Sequence, residues 1–201
     1  MITILLIVLS VGFSFFSFSN RDFFNKLKFN AYLINKYNEW YRFISYGLIH
    51  ADWGHLLINM WVLYSFGSIA ESNFEAYFEQ TGRIFYLALY IGGIFISTIY
   101  DYLKHKDNAY YNAVGASGAV SAVVFASILF YPQGKIYLFL IPIGIPAPIF
   151  GILYLAYSAY MAKNANDNIG HSAHFWGAIF GIVFTIITIP EVVSHFFQTV
   201  F

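Results

Sequence analysis

The sequence predicts an all-α protein that crosses a membrane several times. Apolar residues make up 59% of its 201 residues and charged residues only 10%, well below the roughly 25% charged residues of ordinary globular chains. The charges are also segregated. Stretches without any charge cover residues 1–20, 54–70, 84–100, 108–134, 136–162 and 168–190. Most of them reach or approach the ~20 residues that a helix needs to cross a bilayer.

We therefore predict six transmembrane helices in one domain that covers residues 1–201. The predicted spans are approximately 1–19, 55–72, 83–102, 115–131, 136–161 and 171–189. No Lys or Arg precedes the first span, so we expect it to be retained and not cleaved as a signal peptide. The long loop 20–54 mixes charged and aromatic residues, which is typical of short amphipathic pieces in the headgroup region. Three prolines in the fifth span predict a kink or a break there.

Charge and cysteine content narrow the function classes. Ten basic residues balance ten acidic residues, so nothing in the composition indicates a nucleic-acid partner. The chain has no cysteine, which excludes a disulfide framework and a thiolate metal site. The cysteine content leaves the redox compartment open.

The sequence GASG at residues 115–118 opens the fourth predicted span. Ser117 would then lie at the start of a helix, where the first N–H groups have no helical acceptor and the flanking glycines let another backbone approach. Such a place suits a nucleophile with an anion-stabilising pocket. The alternative is close packing between helices, because Ala113, Ser117 and Ser121 have the four-residue spacing that such packing uses.

Several polar side chains are predicted to gather at one side of the membrane. Consecutive spans alternate in direction, so the second, fourth and sixth spans all start on the same side. His55 with Asn59, Ser117 and His174 lie near these three starts. Polar residues inside spans are costly and often mark function. Ser and His form a nucleophile and a general base, and Asn59, His55 and the Ser117 backbone N–H would stabilise an oxyanion.

Other interpretations of these residues remain open. Asn59 taken alone is more typical of an interhelical hydrogen bond. Glu39 and Arg42 are more typical of residues that brace a loop. Histidine clusters also bind metals, so a His-rich metal or transport protein is an alternative. The four histidines concerned are His50, His55, His171 and His174.

Four motifs along the chain occur together in one known family. Residues 39–42, EWYR, are similar to an ExWR-type loop motif, and His50 with 55–59, HLLIN, to an HxxxxHxxxN segment. Residues 115–118 match a GxSG nucleophile motif, and residues 173–181, AHFWGAIFG, match AHxxGxxxG. In this combination and order, over nearly the whole chain, the sequence resembles the rhomboid family of intramembrane serine proteases.

The resemblance implies a serine endopeptidase that cleaves single-span or multi-span membrane proteins in or near their transmembrane segments. Ser117 would be the nucleophile and His174 the general base and acid, while Asn59, His55 and the Ser117 N–H would bind the oxyanion. No carboxylate lies near His174 in the sixth span, so we expect a dyad and not a triad. Supporting residues would be Gly115, Gly118, His50, Glu39, Arg42, Gly177 and Gly181.

The resemblance further implies a minimal six-helix core without a seventh span or an appended soluble domain. Neither a cofactor nor a metal is expected, and the implied location is a bacterial inner membrane with the active site toward the outer face. That topology puts eight of the ten Lys and Arg residues in outer loops, against the positive-inside rule. We side with the resemblance, because the first loop is expected to fold into the interface.

The sequence departs from the family pattern at two places. Tyr41 separates Trp40 from Arg42, so only Glu39 and Arg42 are carried over from the loop motif. Position 121 is serine, where the family often has an aromatic residue that packs on the catalytic histidine. The sequence therefore leaves open how His174 is oriented. A relative without enzymatic activity, which binds and escorts membrane helices, would be expected to lack the catalytic serine or histidine.

Overall fold

The computed structural model describes residues 1–138, 142–164, 167 and 169–201. Helices dominate this part of the chain, with one small antiparallel hairpin of two strands. The helices are α1 Ile2–Ser19, α2 Arg21–Leu27, α3 Ala31–Tyr37, α4 Arg42–Ser45, α5 Trp53–Phe78, α6 Gly82–Ser97, α7 Ile99–His105, α8 Ser117–Phe130, α9 Ala147–Asn164, α10 His171–Thr188 and α11 Glu191–Val200, and the strands are β1 Lys135–Tyr137 and β2 Gly144–Pro146. Short 3₁₀ turns cover Tyr46–Leu48 and Glu79–Thr81.

Several helices have the length and composition of membrane spans. Within the described residues, the stretches long and apolar enough to cross a membrane are Ile2–Ser19, Trp53–His105 and His171–Thr188, and Ser117–Phe130 is a shorter apolar helix. The stretch Trp53–His105 is not one rod, because Glu79 has a φ of 52° at the end of α5 and Gly82 then packs on the backbone of Phe74. The prediction of an all-α membrane protein is confirmed, and the number of six spans stays a prediction.

Helices α5 and α8 run in the same direction. The ring of His55, near the start of α5, lies against Gly115, just before α8 begins. Further along both helices, eleven residues after His55 and twelve after Gly115, Ser127 Oγ donates a hydrogen bond of 2.8 Å to the carbonyl oxygen of Phe66. The starts of the two helices therefore lie at the same end of the bundle, as the alternation of spans predicts.

Helix α10 also runs in the direction of α8 and lies directly on it. Gly177 faces the backbone of Gly118, and one turn later Gly181 faces the backbone of Ala122. A Cβ atom at either glycine of α10 would overlap the facing carbonyl oxygen. Small residues four apart allow two helices in a membrane to approach this closely. The start of α10, with His174, therefore lies at the same end as the start of α8.

The prediction of a helix over 136–161 is wrong for its first part. Strands β1 and β2 pair in an antiparallel hairpin with Tyr137 opposite Gly144, and α9 begins only at Ala147. The prolines explain the difference, because Pro146 has no N–H for a helix, whereas Pro148 stands in the first helical turn, where none is needed. Residues 139–141 of the predicted span lie outside the described residues.

The loop 20–54 contains the short helices α2, α3 and α4, in line with the short pieces that its composition predicts. The side chains of Asn20 and Asn30 cap the first two, accepting hydrogen bonds of 2.9 Å and 2.8 Å from the backbone N–H groups of Phe23 and Leu33. An Asn at this position satisfies one of the N–H groups that a helix leaves without an acceptor. The loop therefore has a defined structure of its own.

The start of α1 is fixed by a carboxylate from the far end of α5. Glu71, which is 2% exposed, accepts hydrogen bonds from the backbone N–H groups of Ile2 and Thr3 at 2.5 Å and 2.9 Å. The Thr3 hydroxyl donates a third bond of 2.7 Å. A negative charge at a helix N-terminus is favourable, because the unpaired N–H groups point at it. Helix α1 therefore runs antiparallel to α5.

Glu71→Ala is expected to destabilise the protein, because it leaves the backbone N–H groups of Ile2 and Thr3 without an acceptor in a largely buried place. Losing hydrogen bonds to a charged group costs about 2–3 kcal/mol, which lowers Tm by roughly 5–10 °C for a chain of this size. Thermal unfolding of the purified protein in detergent measures this change. The control is Glu75→Ala, which removes only an exposed ion pair with Arg83 and is expected to leave Tm nearly unchanged. Equal effects of the two variants would contradict the assigned role of Glu71.

Candidate active site

Ser117 is the first residue of α8 and is half-buried. The preceding residue Ala116 is the N-cap, with a φ of −79° and a ψ of 3°, so the helix begins at the serine itself. The N–H groups in the first turn of a helix have no carbonyl acceptor within that helix and attract negative charge. Ser117 therefore combines a hydroxyl group with a helix N-terminus that favours an oxyanion.

Gly115 turns the chain into α8 with a φ of 109°, which residues with a side chain rarely adopt. Space excludes a side chain here as well, because a Cβ at position 115 would lie 2.7 Å from His55 Nε2. The backbone N–H of Gly115 donates a hydrogen bond of 3.0 Å to the carbonyl oxygen of Tyr46. The glycine thus lets the imidazole of His55 lie directly against the turn that leads to Ser117.

The loop before Ser117 is paired with the first loop. Phe29 and Ala113 form an antiparallel bridge, in which each backbone N–H donates to the other carbonyl, at 2.9 Å and 3.1 Å. Arg42 supports the first loop, since its guanidinium donates to the carbonyl oxygens of Asn25 and Lys28 at 2.9 Å and 2.7 Å. Arg42 also forms an ion pair with Glu39. Both of these charged residues therefore brace the first loop.

His50 is fully buried and contacts the loop before Ser117. Its Nε2 accepts a long hydrogen bond of 3.5 Å from the Ala116 N–H, so its Nδ1 carries the proton and faces Ser14 Oγ at 3.0 Å. Ser14 in turn donates to the carbonyl oxygen of Leu48 at 3.2 Å. Burial, followed by the repulsion from His55, lowers the pKa of His50 to about 3. A neutral His50 therefore links the motif of residues 115–118 to α1.

His174 reaches the site because α10 lies directly on α8. Its position is one turn before Gly177, which faces Gly118, and the carbonyl oxygen of Ala173 lies beside Gly118 as well. Ser117 and His174 therefore line the same cavity from neighbouring helices. No hydrogen bond joins their side chains in the described part of the chain, and such bonds are often long in structures without substrate.

The aromatic partner of His174 comes from α9. The rings of Tyr154 and His174 are stacked with centroids 6.3 Å apart and planes at 30°. The Tyr154 hydroxyl is 2.6 Å from Ser121 Oγ, on the residue where the sequence departs from the family pattern. Sequence reasoning missed Tyr154, because nothing in an apolar stretch indicates which of its aromatic residues will face a helix whose register is unknown.

Asn59 follows His55 by one helical turn, so both side chains lie on the same face of α5. Asn59 is 6% exposed, and its side-chain N–H donates a hydrogen bond of 2.9 Å to the carbonyl oxygen of His55. A second N–H of the same amide remains for another acceptor. Asp52 caps α5 by accepting 2.8 Å from the His55 backbone N–H, which fixes the first turn below the imidazole.

These side chains face a cavity of about 1420 Å³. Its wall includes Ser117, Gly115, Gly118, His55, Asn59 and His174, together with Tyr154. Further walls come from α5, α8, α9 and the hairpin, so the cavity extends from the candidate site along the bundle. Among the other predicted residues, Gly177 and Gly181 lie in the contact between α8 and α10. The structure thus brings the predicted nucleophile, base and oxyanion residues around one space.

Two carboxylates form hydrogen bonds with residues at the start of α10. Asp167 Oδ2 is 3.2 Å from Nε2 of His171, and Ser172 Oγ donates 2.6 Å to the buried Asp101. The hydrogen bond from the Ile169 N–H, followed by the one with His171, lowers the pKa of Asp167. No group of three or more His, Cys, Asp or Glu positioned for a metal ion occurs among the residues that the structure describes.

A comparison of the sequence with known protein families agrees with the motifs and with the geometry of the site. The model of the Rhomboid domain matches residues 37–191, which is well over half of the chain. The chain belongs to the rhomboid family. The recognition made from the sequence is therefore confirmed, and the rhomboid match spans every motif that carried it.

Individual relatives are similar to this rhomboid protein at moderate identity. RHOMBOID-like protein 12, mitochondrial, of Arabidopsis thaliana is 29% identical over 79% of this chain and 50% of its own length. Presenilin-associated rhomboid-like protein A, mitochondrial, of Danio rerio is 32% identical over 64% of this chain and 32% of its own length. Rhomboid-like protein 11, chloroplastic, of Arabidopsis thaliana is 30% identical over 77% and 54%. The chain thus spans about a third to a half of these relatives.

Gly177→Val is expected to force α10 away from α8, because its side chain would overlap the carbonyl oxygen of Gly118. Overpacking of this kind costs about 1–3 kcal/mol and lowers Tm by roughly 3–10 °C. The same substitution at Gly12, where an added Cβ meets nothing within 4 Å, is the control. Thermal unfolding in detergent compares the two variants, and an equal Tm for both would contradict the close contact.

Proposed function

We propose that this rhomboid protein is an intramembrane serine endopeptidase. The observation that carries the proposal is the placement of Ser117, at a helix N-terminus, and His174, on the adjacent helix, around one cavity. Either residue alone has ordinary structural explanations. A hydroxyl group, an imidazole and N–H donors that face the same space are the parts that acyl transfer requires.

In the proposed reaction, His174 takes the proton of the Ser117 hydroxyl while the oxygen attacks the carbonyl carbon of a peptide bond. The tetrahedral intermediate collapses when His174 gives this proton to the leaving amine, and an acyl-enzyme remains on Ser117. His174 then takes a proton from a water molecule, which attacks the ester, and returns it to the Ser117 oxygen. Two side chains suffice for this cycle, so the site works as a dyad.

The oxyanion of the intermediate would be bound by three donors. The Ser117 N–H belongs to the first turn of α8 and carries the partial positive charge of the helix end. The second N–H of the Asn59 amide and the ring of His55 face the same cavity. Donors fixed in advance stabilise developing charge without reorganising during the reaction. The bond from Asn59 to its own helix and the contact of His55 with Gly115 hold both side chains in place.

The proposed substrates are membrane proteins, both single-span and multi-span. The cavity wall is largely apolar, with Ile58 and Val62 from α5 and Phe150 from α9. A transmembrane segment can lie against such a wall in the bilayer. Carbonyl groups inside an intact helix are hydrogen-bonded, so cleavage requires a segment that unwinds near the end of its helix. No cofactor takes part in this scheme.

A second candidate function uses the same cavity without chemistry. A rhomboid protein that only binds and escorts membrane helices needs the apolar wall of α5 and α9, but not Ser117 or His174. The large cavity supports this alternative as well as it supports proteolysis. The presence of both reactive side chains favours the protease.

Ser117→Ala and His174→Ala are each expected to abolish cleavage of a single-span model substrate by the purified protein in detergent. Removing either member of such a pair lowers kcat by at least roughly 10³-fold, because the remaining group cannot act alone. Gel electrophoresis of the products over time measures the loss.

The matched controls for this experiment are Ser72→Ala and His171→Ala. Ser72 is exposed and its hydroxyl donates only to its own helix, while His171 stands three residues before the proposed base and contacts Asp167. Both controls are expected to keep most of the activity. Turnover near that of the parent in Ser117→Ala, or loss of activity in His171→Ala alone, would contradict the assignment.

The orientation in the membrane is part of the proposal. The chain start lies at the Glu71 end of the bundle, and His195 of α11 contacts the carbonyl oxygen of Phe130 at the end of α8. Both chain ends therefore lie opposite the site. We place the site toward the outer face of a bacterial inner membrane, although the relatives with a stated location are mitochondrial or chloroplastic.

Single cysteines test this orientation, since the chain has none of its own. Asn25→Cys and Gln198→Cys both lie at exposed positions, one on the side of the site and the other near the chain end. In intact bacterial cells that express the protein, a membrane-impermeant thiol reagent is expected to label position 25 and to spare position 198. The reverse pattern would show that the positive-inside rule decides the topology.

A further inference from the structure

A chain of two hydrogen bonds connects α9 to the backbone of Ser117. Ser121 Oγ donates 2.8 Å to the carbonyl oxygen of Ser117 and is 2.6 Å from the hydroxyl oxygen of Tyr154. A serine hydroxyl has a single proton. Because that proton is directed at Ser117, the Tyr154 hydroxyl donates to Ser121. Successive bonds of this kind strengthen one another in surroundings of low dielectric constant.

The ring of Tyr154 is enclosed by three other rings. Its centroid lies 5.6 Å from that of Phe125, 5.7 Å from that of Phe150 and 6.3 Å from that of His174. Phe125 belongs to α8 and Phe150 to α9, so the tyrosine is held from both helices. The imidazole of His174 is stacked on its open side. The position of this ring therefore limits the orientations that His174 can adopt.

Helix α9 packs on α8 and α10 but has few polar ties to either helix. Within the described residues, the bond between Tyr154 and Ser121 is the one side-chain hydrogen bond that joins α9 to another helix. Gly151 makes only ordinary contacts, since a Cβ there would lie 3.4 Å from Phe125 and 3.6 Å from Ile128. Apolar contacts of this kind do little to hold two helices together in a bilayer, because contacts with lipid tails can replace them. The docking of α9 therefore depends strongly on one polar contact.

We propose that the hydrogen bond between Ser121 and Tyr154 is a latch that makes the positioning of His174 depend on the docking of α9. Tyr154 belongs to α9 and its ring stacks on His174, so a displacement of α9 carries this ring away from His174. Catalysis therefore requires that α9 is docked. Tyr154 is a positioning residue in this scheme, and the inference rests on the proteolytic function proposed above.

The kinetic test uses Ser121→Ala, Tyr154→Phe and the double variant with a single-span substrate in detergent. Each single variant removes one partner of the latch but keeps the Tyr154 ring. A bond of this kind is worth about 3- to 10-fold, so kcat is expected to fall by this factor while KM is unchanged or lower. Because both changes break the same bond, the double variant is expected to match the single variants and not to multiply their effects.

A second test reports on α9 without any turnover. Ile128 is buried on α8 and lies against Gly151 of α9, so the thiol of Ile128→Cys is covered while α9 is docked. A maleimide is expected to react with this cysteine at least about 3-fold faster in the Ser121→Ala and Tyr154→Phe backgrounds, the same factor as for kcat. Tyr160→Phe is the control, because it removes the hydroxyl group of an exposed tyrosine on the same helix.

The outcomes separate the latch from the proteolytic function. If the parent protein cleaves substrate and both latch variants behave like Tyr160→Phe in kcat and in thiol reactivity, the latch is refuted. If the effects of the two single variants multiply in the double variant, the residues act separately and the coupling is refuted. If the parent protein cleaves nothing, the proposed function fails, and the thiol reactivity of Ile128→Cys alone decides whether the hydrogen bond between Ser121 and Tyr154 docks α9.

Discussion

The contact between α8 and α10 is the constraint on which the arrangement of the site depends. Gly177 and Gly181 bring the backbone of α10 against the carbonyl groups of Gly118 and Ala122, closer than any side chain permits. The backbones of Ser117 and His174 are fixed relative to each other because this distance is fixed. The other parts of the site are attached to the same pair of helices, since His55 lies against the turn before α8 and Tyr154 binds to Ser121.

Hydrogen bonds of buried polar side chains fix the ends of the helices. Lipid tails are as apolar as leucine, so apolar contacts alone give little reason for one arrangement of helices over another. Glu71 holds the start of α1, His50 joins α1 to the loop before Ser117, and Asp101 holds the start of α10 through Ser172. An unpaired polar group is costly in such surroundings, and this cost makes each connection specific to one partner.

The sequence predicts the membrane class, the family and the residues around the cavity, because charge segregation and short motifs are local properties. It mispredicts residues 136–138 and 142–146, where an apolar composition is compatible with a strand as well as with a helix and the prolines exclude the helix. It does not reveal Tyr154, because contacts between helices depend on their rotation and depth. Ser121 was the available signal, since a missing aromatic residue at that place implies that something else must pack on His174.

The bridge between Phe29 and Ala113 has a consequence for how this chain can vary in length. Only three residues separate Ala113 from Ser117. The pairing of Ala113 with the first loop therefore sets the depth in the membrane at which the Ser117 hydroxyl lies. A shift of the bridge by one residue would pair Phe29 with a neighbour of Ala113, whose side chain points to the opposite face. Insertions and deletions are therefore excluded between residues 113 and 117, even though this stretch has the outward features of a surface loop that ordinarily tolerates both.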